Sequence, residues 1–114
     1  MTHQRIREVV RSVVHLLARG DYEALQRLSR GRRLTATELR QAVEEYGRTI
    51  IMPPDEAFED LDVVDVDASG PMRHGVRFDL WTAQEGRSDL TLEMTITDVG
   101  ADSYDLQIDD LHVL

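Results

Sequence analysis

The sequence of 114 residues contains no cysteine and no lysine, and only 5% of its residues are aromatic. Without cysteine the chain can form neither a disulfide framework nor a thiolate zinc site, so a reducing cytoplasm is the expected compartment. All 13 basic residues are therefore arginine, which indicates the codon bias of a GC-rich genome more than a chemical requirement.

Long apolar runs are also absent. The longest are a few residues, too short for a transmembrane helix, and the segment Met1–Arg11 lacks the apolar stretch of a signal peptide. Residues 1–114 match the usual size of one domain. We therefore expect a single, soluble, cytoplasmic domain with no membrane partner.

Charge is distributed unevenly along the chain. Residues 1–52 hold ten arginines and six acidic residues, a formal charge of +4, whereas residues 53–114 hold three arginines and sixteen acidic residues, a formal charge of −13. An acidic second half repels nucleic acid and attracts a basic partner, although solubility alone also explains it. The arginine-rich segment 27–33 could bind acidic groups of another molecule or pair with the acidic half of its own chain.

The first half repeats apolar residues at the spacing of amphipathic helices. This spacing predicts a first helix that stops at Gly20 and a short second helix capped by Asp21. The third helix has the clearest signal, because Thr35 and Glu38 match a capping box and Gly47 marks the end. Three helices are thus expected before residue 50.

From residue 50 onward apolar and polar residues alternate, which is typical of strands. Five strands are predicted, at residues 50–52, 61–67, 74–82, 89–97 and 104–113. Alternation of this kind indicates an antiparallel sheet with one face on the helices and one face in water. The expected fold class is α+β, with N-terminal helices packed on an antiparallel sheet of four to five strands.

Two breaks in the alternation predict β-bulges. One lies between Val63 and Val64, and the other lies at Asp109-Asp110. After the second break, Leu111 and Val113 are expected to turn back towards the helices. Without that bulge, Asp110 would point inward instead.

The order of these elements resembles that of the NTF2-like (cystatin-like) superfamily. The resemblance spans nearly the whole chain and rests on a helix, a short helix in GDYEALQRL, a capped third helix and long strands that end in YDLQIDDLHVL. It implies a strongly curved sheet that wraps the helices into a cone around an apolar pocket. Three shorter segments are similar to a bacterial domain family with no known activity: GRRLTATELRQAVEEYGRT, MPPDEAFEDLDVV and VRFDLWTAQEGRSDLTLEMTITD.

The superfamily contains enzymes, transport factors, accessory ligand-binding domains and immunity proteins, so the resemblance alone does not choose a function. Its enzymes place His and Asp on the concave side of the sheet, where they act as bases. The inward positions assigned here are all apolar: Val76, Phe78, Leu80, Leu90, Leu92, Met94, Ile96, Leu106 and Ile108. We therefore expect no catalytic residues and no cofactor, and an enzyme is less expected than a binding protein.

Patterns for metal binding are incomplete. The segment Asp65–Gly70 begins like a calcium loop, but the twelfth position, which should supply a glutamate, is Val76. A strand that runs into a turn at Ser69–Pro71 explains the segment better. The four histidines lie far apart in sequence and lack the spacing of metal ligands. The sequence therefore predicts no metal site.

The outward side of the sheet is the strongest candidate for a binding surface. By alternation it carries the chain's single tryptophan together with charged residues: Arg77, Asp79, Trp81, Glu93, Asp105, Asp109 and, beyond the bulge, His112. An aromatic residue framed by charges is typical of interface hot spots. The alternative is that Trp81 only closes the end of the sheet.

Two hypotheses follow. The first is a non-enzymatic protein-binding module of immunity or accessory type, whose acidic sheet face docks a basic partner or a second copy in a homodimer. The second is a small-molecule-binding protein, or an enzyme, with a pocket between helices and sheet near Tyr46, Phe78 and Tyr104.

Overall fold

The structure, a computed structural model, describes residues 1–66 and 70–114 of the chain. Three helices come first: α1 (His3–Arg19), α2 (Tyr22–Ser29) and α3 (Ala36–Tyr46). A 3-10 turn (Asp55–Phe58) and five strands follow: β1 (Ile50–Ile51), β2 (Asp62–Val66), β3 (Arg73–Thr82), β4 (Gly86–Gly100) and β5 (Ser103–Val113). The predicted α+β fold class is confirmed. Residues 67–69, which include the first residue of the predicted turn and the middle of the calcium-like segment, fall outside the described residues.

Local sequence signals set the helix ends. Thr35 accepts a hydrogen bond from the Glu38 backbone N–H, and the Glu38 side chain accepts one from the Thr35 backbone N–H, so the predicted capping box is confirmed. Gly20 and Gly47 cap α1 and α3 at their C-termini with φ of 71° and 74°, a conformation that glycine adopts without a steric penalty.

All strand pairs in the sheet are antiparallel, and the sheet does not close on itself. The order is β1-β3-β4-β5, and β2 also pairs with β3. Strand β1 pairs with Trp81 and Thr82 at one end of β3, and β2 pairs with residues 73–77 towards the other end. The segment 52–61, which contains the 3-10 turn, therefore passes the middle of β3 without a strand pairing there.

One of the two predicted bulges is present. Strand β5 carries an extra residue, because Glu93 pairs with Asp110 while Met94 pairs with Ile108. Leu111 beyond it is buried with 6% exposure, whereas Val113, which was also expected to turn towards the helices, is 56% exposed. The bulge predicted in β2 is wrong. Strand β2 pairs with β3 residue by residue, and Val64 simply points outward with 62% of its surface exposed.

The core lies between the helices and the inner face of the sheet. Its largest fully buried side chains come from all three helices, from the 3-10 turn and from β3, β4 and β5: Ile6, Leu17, Leu25, Leu39, Phe58, Leu80, Leu90, Leu92, Met94, Ile96, Leu106 and Ile108. The ring of Phe58 stacks on that of Phe78 with centroids 5.1 Å apart. This stack holds the segment 52–61 against the middle of β3.

The loop between α2 and α3 packs on the outer edge of β5. The backbone N–H of Leu34 donates to the carbonyl oxygen of Ile108 at 3.1 Å, and Arg33 forms a parallel bridge with the same residue. This contact protects part of the sheet edge. It also brings the arginines of the loop to the acidic strand.

Replacing Phe58 by alanine should lower the free energy of unfolding by about 3–5 kcal/mol, because a side chain with 1% exposure is lost from the core. Urea denaturation followed by far-UV circular dichroism measures the change. Val64→Ala is the matched control, and its effect should stay within about 0.5 kcal/mol because Val64 is exposed. Similar values for the two variants would contradict the assignment of Phe58 to the core.

Candidate functional site

The outer face of the sheet carries every residue that the sequence assigned to a partner-binding surface. Strand β3 supplies Arg77, Asp79 and Trp81, β4 supplies Glu93, and β5 supplies Asp105 and Asp109. The buried apolar residues of these strands occupy the alternate positions, as the two-residue period requires. We refer to this surface as the outer face.

The acidic residues of the outer face are paired with arginines of the same chain. Asp105 lies 3.3 Å from Arg32 and Asp109 lies 3.8 Å from Arg33, both from the loop between α2 and α3. The sequence had left open whether the arginine-rich segment pairs with the acidic half of its own chain, and two of its arginines do. Partly exposed pairs of this kind contribute about 0–1 kcal/mol each, but they neutralise charge locally.

Asp79 has the most complete set of partners. Nε and Nη2 of Arg87 donate to its Oδ2 at 3.0 and 2.7 Å, and Oγ1 of Thr91 donates to its Oδ1 at 2.9 Å. Burial raises the pKa of Asp79, but these hydrogen bonds and the positive charges of Arg87 and Arg77 outweigh burial and hold the pKa below its usual value. Asp79 is therefore a fixed carboxylate in an ion pair.

Trp81 is half-buried at the end of the outer face. Its ring lies over Gly86, where an added Cβ would come within 3.8 Å of the ring carbon Cζ3. The strand neighbours of Trp81 are Ile51 on β1 and Arg87 on β4. The indole thus packs against the sheet and still presents part of its surface to solvent. This arrangement lies between the two predicted alternatives, an exposed hot spot and a residue that only closes the end of the sheet.

An open groove runs beside Trp81, between the middle of β3 and the segment 56–62. Its volume is about 550 Å³, and its polar and aromatic lining includes Glu56, Asp60, Asp62, Arg77, Trp81 and Arg87. The groove lies where the segment 52–61 passes the middle of β3 without strand pairing. We call it the Trp81 groove.

Three carboxylates on the rim of the Trp81 groove differ from those of the outer face because they have no ion-pair partner among the described residues. Glu56, Asp60 and Asp62 are exposed, and within residues 1–66 and 70–114 none of them lies within ion-pair distance of a basic group. None of these three residues was among those predicted to bind a partner. The acidic run DEAFEDLD at residues 55–62 was the signal that could have found them.

A mixed cluster of ionisable groups lies at the bulge of β5. Glu93, Asp110 and His112 place one potential metal-ligand atom each within 4.8 Å of the others. Asp110 and His112 are two residues apart beyond the bulge, and Glu93 is on the neighbouring strand. The sequence predicted no metal site, because the histidines lack the spacing of metal ligands along the chain. These three side chains come together through strand pairing instead.

The inner face contains one ionisable residue that the sequence analysis overlooked. His74 continues the inward phase of Val76 and Phe78, and only 4% of its surface is exposed. Its Nδ1 lies 2.6 Å from Oδ1 of Asp65, and its buried Nε2 has no hydrogen-bond partner in the part of the chain that the structure describes. An Asp–His pair can act as a base where a substrate reaches the free nitrogen. Here Nε2 is enclosed, so the pair links β2 to β3.

The structure does not bring the predicted pocket residues together. The Tyr46 hydroxyl donates to Glu85 at 2.7 Å, which raises the pKa of the phenol, and burial adds to the effect. Tyr104 lies under the guanidinium of Arg5. Phe78 pairs with Leu92 and Tyr104 pairs with Asp98. These partners, Leu92 and Asp98, are six residues apart on β4. At about 3.3 Å per residue, Phe78 and Tyr104 therefore lie about 20 Å apart along the sheet.

Three helices followed by an open antiparallel sheet define an α+β protein. Comparison with known proteins then gives the family. The chain belongs to the family described as "Domain of unknown function (DUF7668)", whose profile matches residues 14–114. No curated protein and no solved structure matches the chain significantly. In the described part of the chain, no helix is both long and apolar enough to cross a membrane.

Asp79→Asn should lower the free energy of unfolding at neutral pH. The free energy of unfolding of the variant should also fall less than that of the wild type as the pH is lowered. A carboxylate whose pKa is lower when folded stabilises the fold above its unfolded pKa, about 4, and this contribution disappears as pH falls through the folded pKa. The difference in unfolding free energy between wild type and variant should therefore shrink from pH 7 towards pH 2. Urea titrations across this range measure it.

Glu44→Gln provides the matched control, because Glu44 is exposed on α3 and belongs to none of the ion pairs among the described residues. Its difference from wild type should stay small at every pH. A constant difference for Asp79→Asn from pH 7 to pH 2 would contradict the role of the Asp79 charge.

Proposed function

We propose that the protein is a binding module whose Trp81 groove binds a basic segment of a partner protein. One observation carries the proposal: the rim carboxylates Glu56, Asp60 and Asp62 are free of ion pairs in the described part of the chain and stand beside a half-buried indole. The proposal moves the contact away from Asp105 and Asp109, whose charges are already paired with Arg32 and Arg33.

The rim favours a cationic partner on electrostatic grounds. The polar lining combines Glu56, Asp60 and Asp62 with Asp79, which Arg87 already neutralises, and with Arg77. Unpaired carboxylates raise the rate of encounter with a basic segment, and salt screens this attraction. Binding should therefore weaken as ionic strength rises.

Trp81 can provide the apolar part of the contact. An arginine or lysine head that lies over an indole face gains a cation–π interaction, about 0.5–2 kcal/mol depending on exposure. The aliphatic stem of the same residue can pack on Leu61 and Ala57, which also line the groove. A basic side chain thus finds both an aromatic face and carboxylates within one groove.

The NTF2-like architecture is part of this proposal. The order of three helices and then an open antiparallel sheet agrees with that superfamily. In such a cone a ligand would bind on the inner face, but in this chain the stacked rings of Phe58 and Phe78 occupy the middle of that face. This packing favours binding at the outer groove over the small-molecule alternative.

Titration of the ¹⁵N-labelled protein with a short Arg- and Lys-rich peptide tests the site. At ~0.05 M salt the shifts should concentrate on the indole N–H of Trp81 and on the amides of residues 56–62, and ~0.5 M salt should weaken them. Asp60→Asn and Asp62→Asn should each lower the affinity about 2- to 5-fold, the value of one exposed charge pair.

A variant with Glu44→Gln and Glu45→Gln removes two charges from exposed positions of α3 and serves as the matched control. Equal weakening by this control, or shifts spread evenly over the acidic surface, would contradict the groove as the site. Sedimentation of the protein without peptide tests self-association. A dimer abolished by Asp60→Asn and Asp62→Asn together would assign the groove to a second copy instead.

Trp81→Ala should weaken peptide binding roughly tenfold while leaving the thermal unfolding transition cooperative, because the loss of a hot-spot aromatic costs about 1–2 kcal/mol. Trp81→Phe keeps an aromatic face over Gly86 and should lose much less affinity. Fluorescence anisotropy of the labelled peptide measures both variants. If Trp81→Ala does not fold, the phenylalanine variant and the rim variants carry the test. Unchanged affinity in Trp81→Ala would remove the indole from the site.

A further inference from the structure

The cluster of Glu93, Asp110 and His112 is separate from the rim of the Trp81 groove and has its own geometry. The bulge in β5 creates it, because the extra residue Asp109 shifts the register so that Asp110 faces Glu93 across the strand pair. His112 follows two residues later and therefore points to the same side of the sheet. Bulges commonly redirect side chains in this way next to functional sites.

The imidazole of His112 lacks a hydrogen bond where one would be expected. Its Nε2 is 2.8 Å from Oε2 of Glu93 without hydrogen-bond geometry. Among the described residues this buried atom has no hydrogen-bond partner, while 38% of the side chain as a whole is exposed. Its Nδ1 is 3.8 Å from Oδ2 of Asp110, which is beyond hydrogen-bond distance. A neutral imidazole nitrogen and a carboxylate oxygen that face each other without a hydrogen bond can both donate lone pairs to one cation.

The negative charges of Glu93 and Asp110 are only partly neutralised by neighbouring groups. The nearest guanidinium is that of Arg77, whose Nε is 3.6 Å from Oε1 of Glu93. Asp110 accepts a hydrogen bond from the backbone N–H of Leu111 at 2.8 Å, which fixes the carboxylate without neutralising it. One imidazole nitrogen and two carboxylates thus converge with excess negative charge.

We propose that Glu93, Asp110 and His112 bind a divalent transition-metal ion such as Zn²⁺. Imidazole with carboxylates is a ligand set that suits zinc and its neighbours in the first transition row, whereas Mg²⁺ and Ca²⁺ prefer oxygen alone. Zinc bonds to nitrogen and oxygen are about 2.0–2.2 Å long, so two ligands of one ion lie about 3.0 Å apart at octahedral angles and about 3.4 Å apart at tetrahedral angles. The 2.8 Å between Nε2 of His112 and Oε2 of Glu93 is slightly shorter, so a small movement of these side chains would admit an ion between them.

An ion held by three protein ligands keeps one or more coordination positions for water or for a side chain of a partner. The inference does not depend on the groove, because it uses none of the rim carboxylates. It assigns a chemical role to His112, which the sequence placed on the outer face without a specific function.

Isothermal titration of the protein with ZnCl₂ tests the proposal directly. One ion should bind per chain, and Mg²⁺ should bind far more weakly. His112→Gln and Glu93→Gln should each reduce zinc affinity at least about tenfold, because effects of this size follow even when only a group that hydrogen-bonds to a metal ligand is replaced. At a Zn²⁺ concentration that saturates the wild type, the melting temperature of the wild type should rise, and that of His112→Gln should rise clearly less.

His15→Gln is the matched control, because His15 is an exposed histidine on α1, away from the sheet. The control should bind zinc like the wild type. Arg77→Gln should bind at least as tightly as the wild type, since the competing cation is removed. Circular dichroism confirms folding, and if His112→Gln is unfolded, Glu93→Gln and Asp110→Asn decide the outcome. Wild-type affinity in these variants, or an equal loss in His15→Gln, would overturn the site.

Discussion

The single extra residue in β5 sets the direction of every side chain that follows it. Without the bulge at Asp109, strict alternation would turn Asp110 and His112 inward and Leu111 outward. With it, Leu111 packs in the core and the two polar residues join Glu93 on the outer face. A register shift of one residue exchanges the two faces of a strand, so the core and the metal-ligand cluster depend on the same local irregularity.

The charge imbalance of the sequence is smaller in three dimensions than along the chain. Arginines from the loop between α2 and α3 lie against Asp105 and Asp109, and Arg87 holds Asp79 within the sheet itself. A formal charge of −13 for residues 53–114 therefore overstates the field at the centre of the outer face. Among the described residues, several unpaired carboxylates lie on the segment 56–62, next to the indole, and we therefore place the proposed docking surface at the groove rather than at the sheet centre.

Local signals predicted much of the fold, and contacts between distant residues explain most of what was missed. Capping residues such as Thr35 and Glu38, and the alternation from Val76 to Leu80, depend on neighbours in sequence and could be interpreted directly. The same alternation extended by one step would have placed His74 inside. The pairing of Arg32 with Asp105 depends on how the loop packs on β5, and the sequence could raise it only as one possibility. The irregular phase of Val63-Val64 did not produce a bulge, because an edge strand can leave a valine exposed.

Arg77 connects the two surfaces for which a function is proposed. Its side chain lines the Trp81 groove, and its Nε is 3.6 Å from Glu93. An ion bound by Glu93 would compete with Arg77 for that carboxylate and would place a second positive charge near the guanidinium. Repulsion between the two would then favour turning Arg77 towards the rim carboxylates of the groove, where it would neutralise part of the charge that attracts a basic partner. The two sites use different ligands and share one arginine, so occupation of the cluster should oppose binding in the groove.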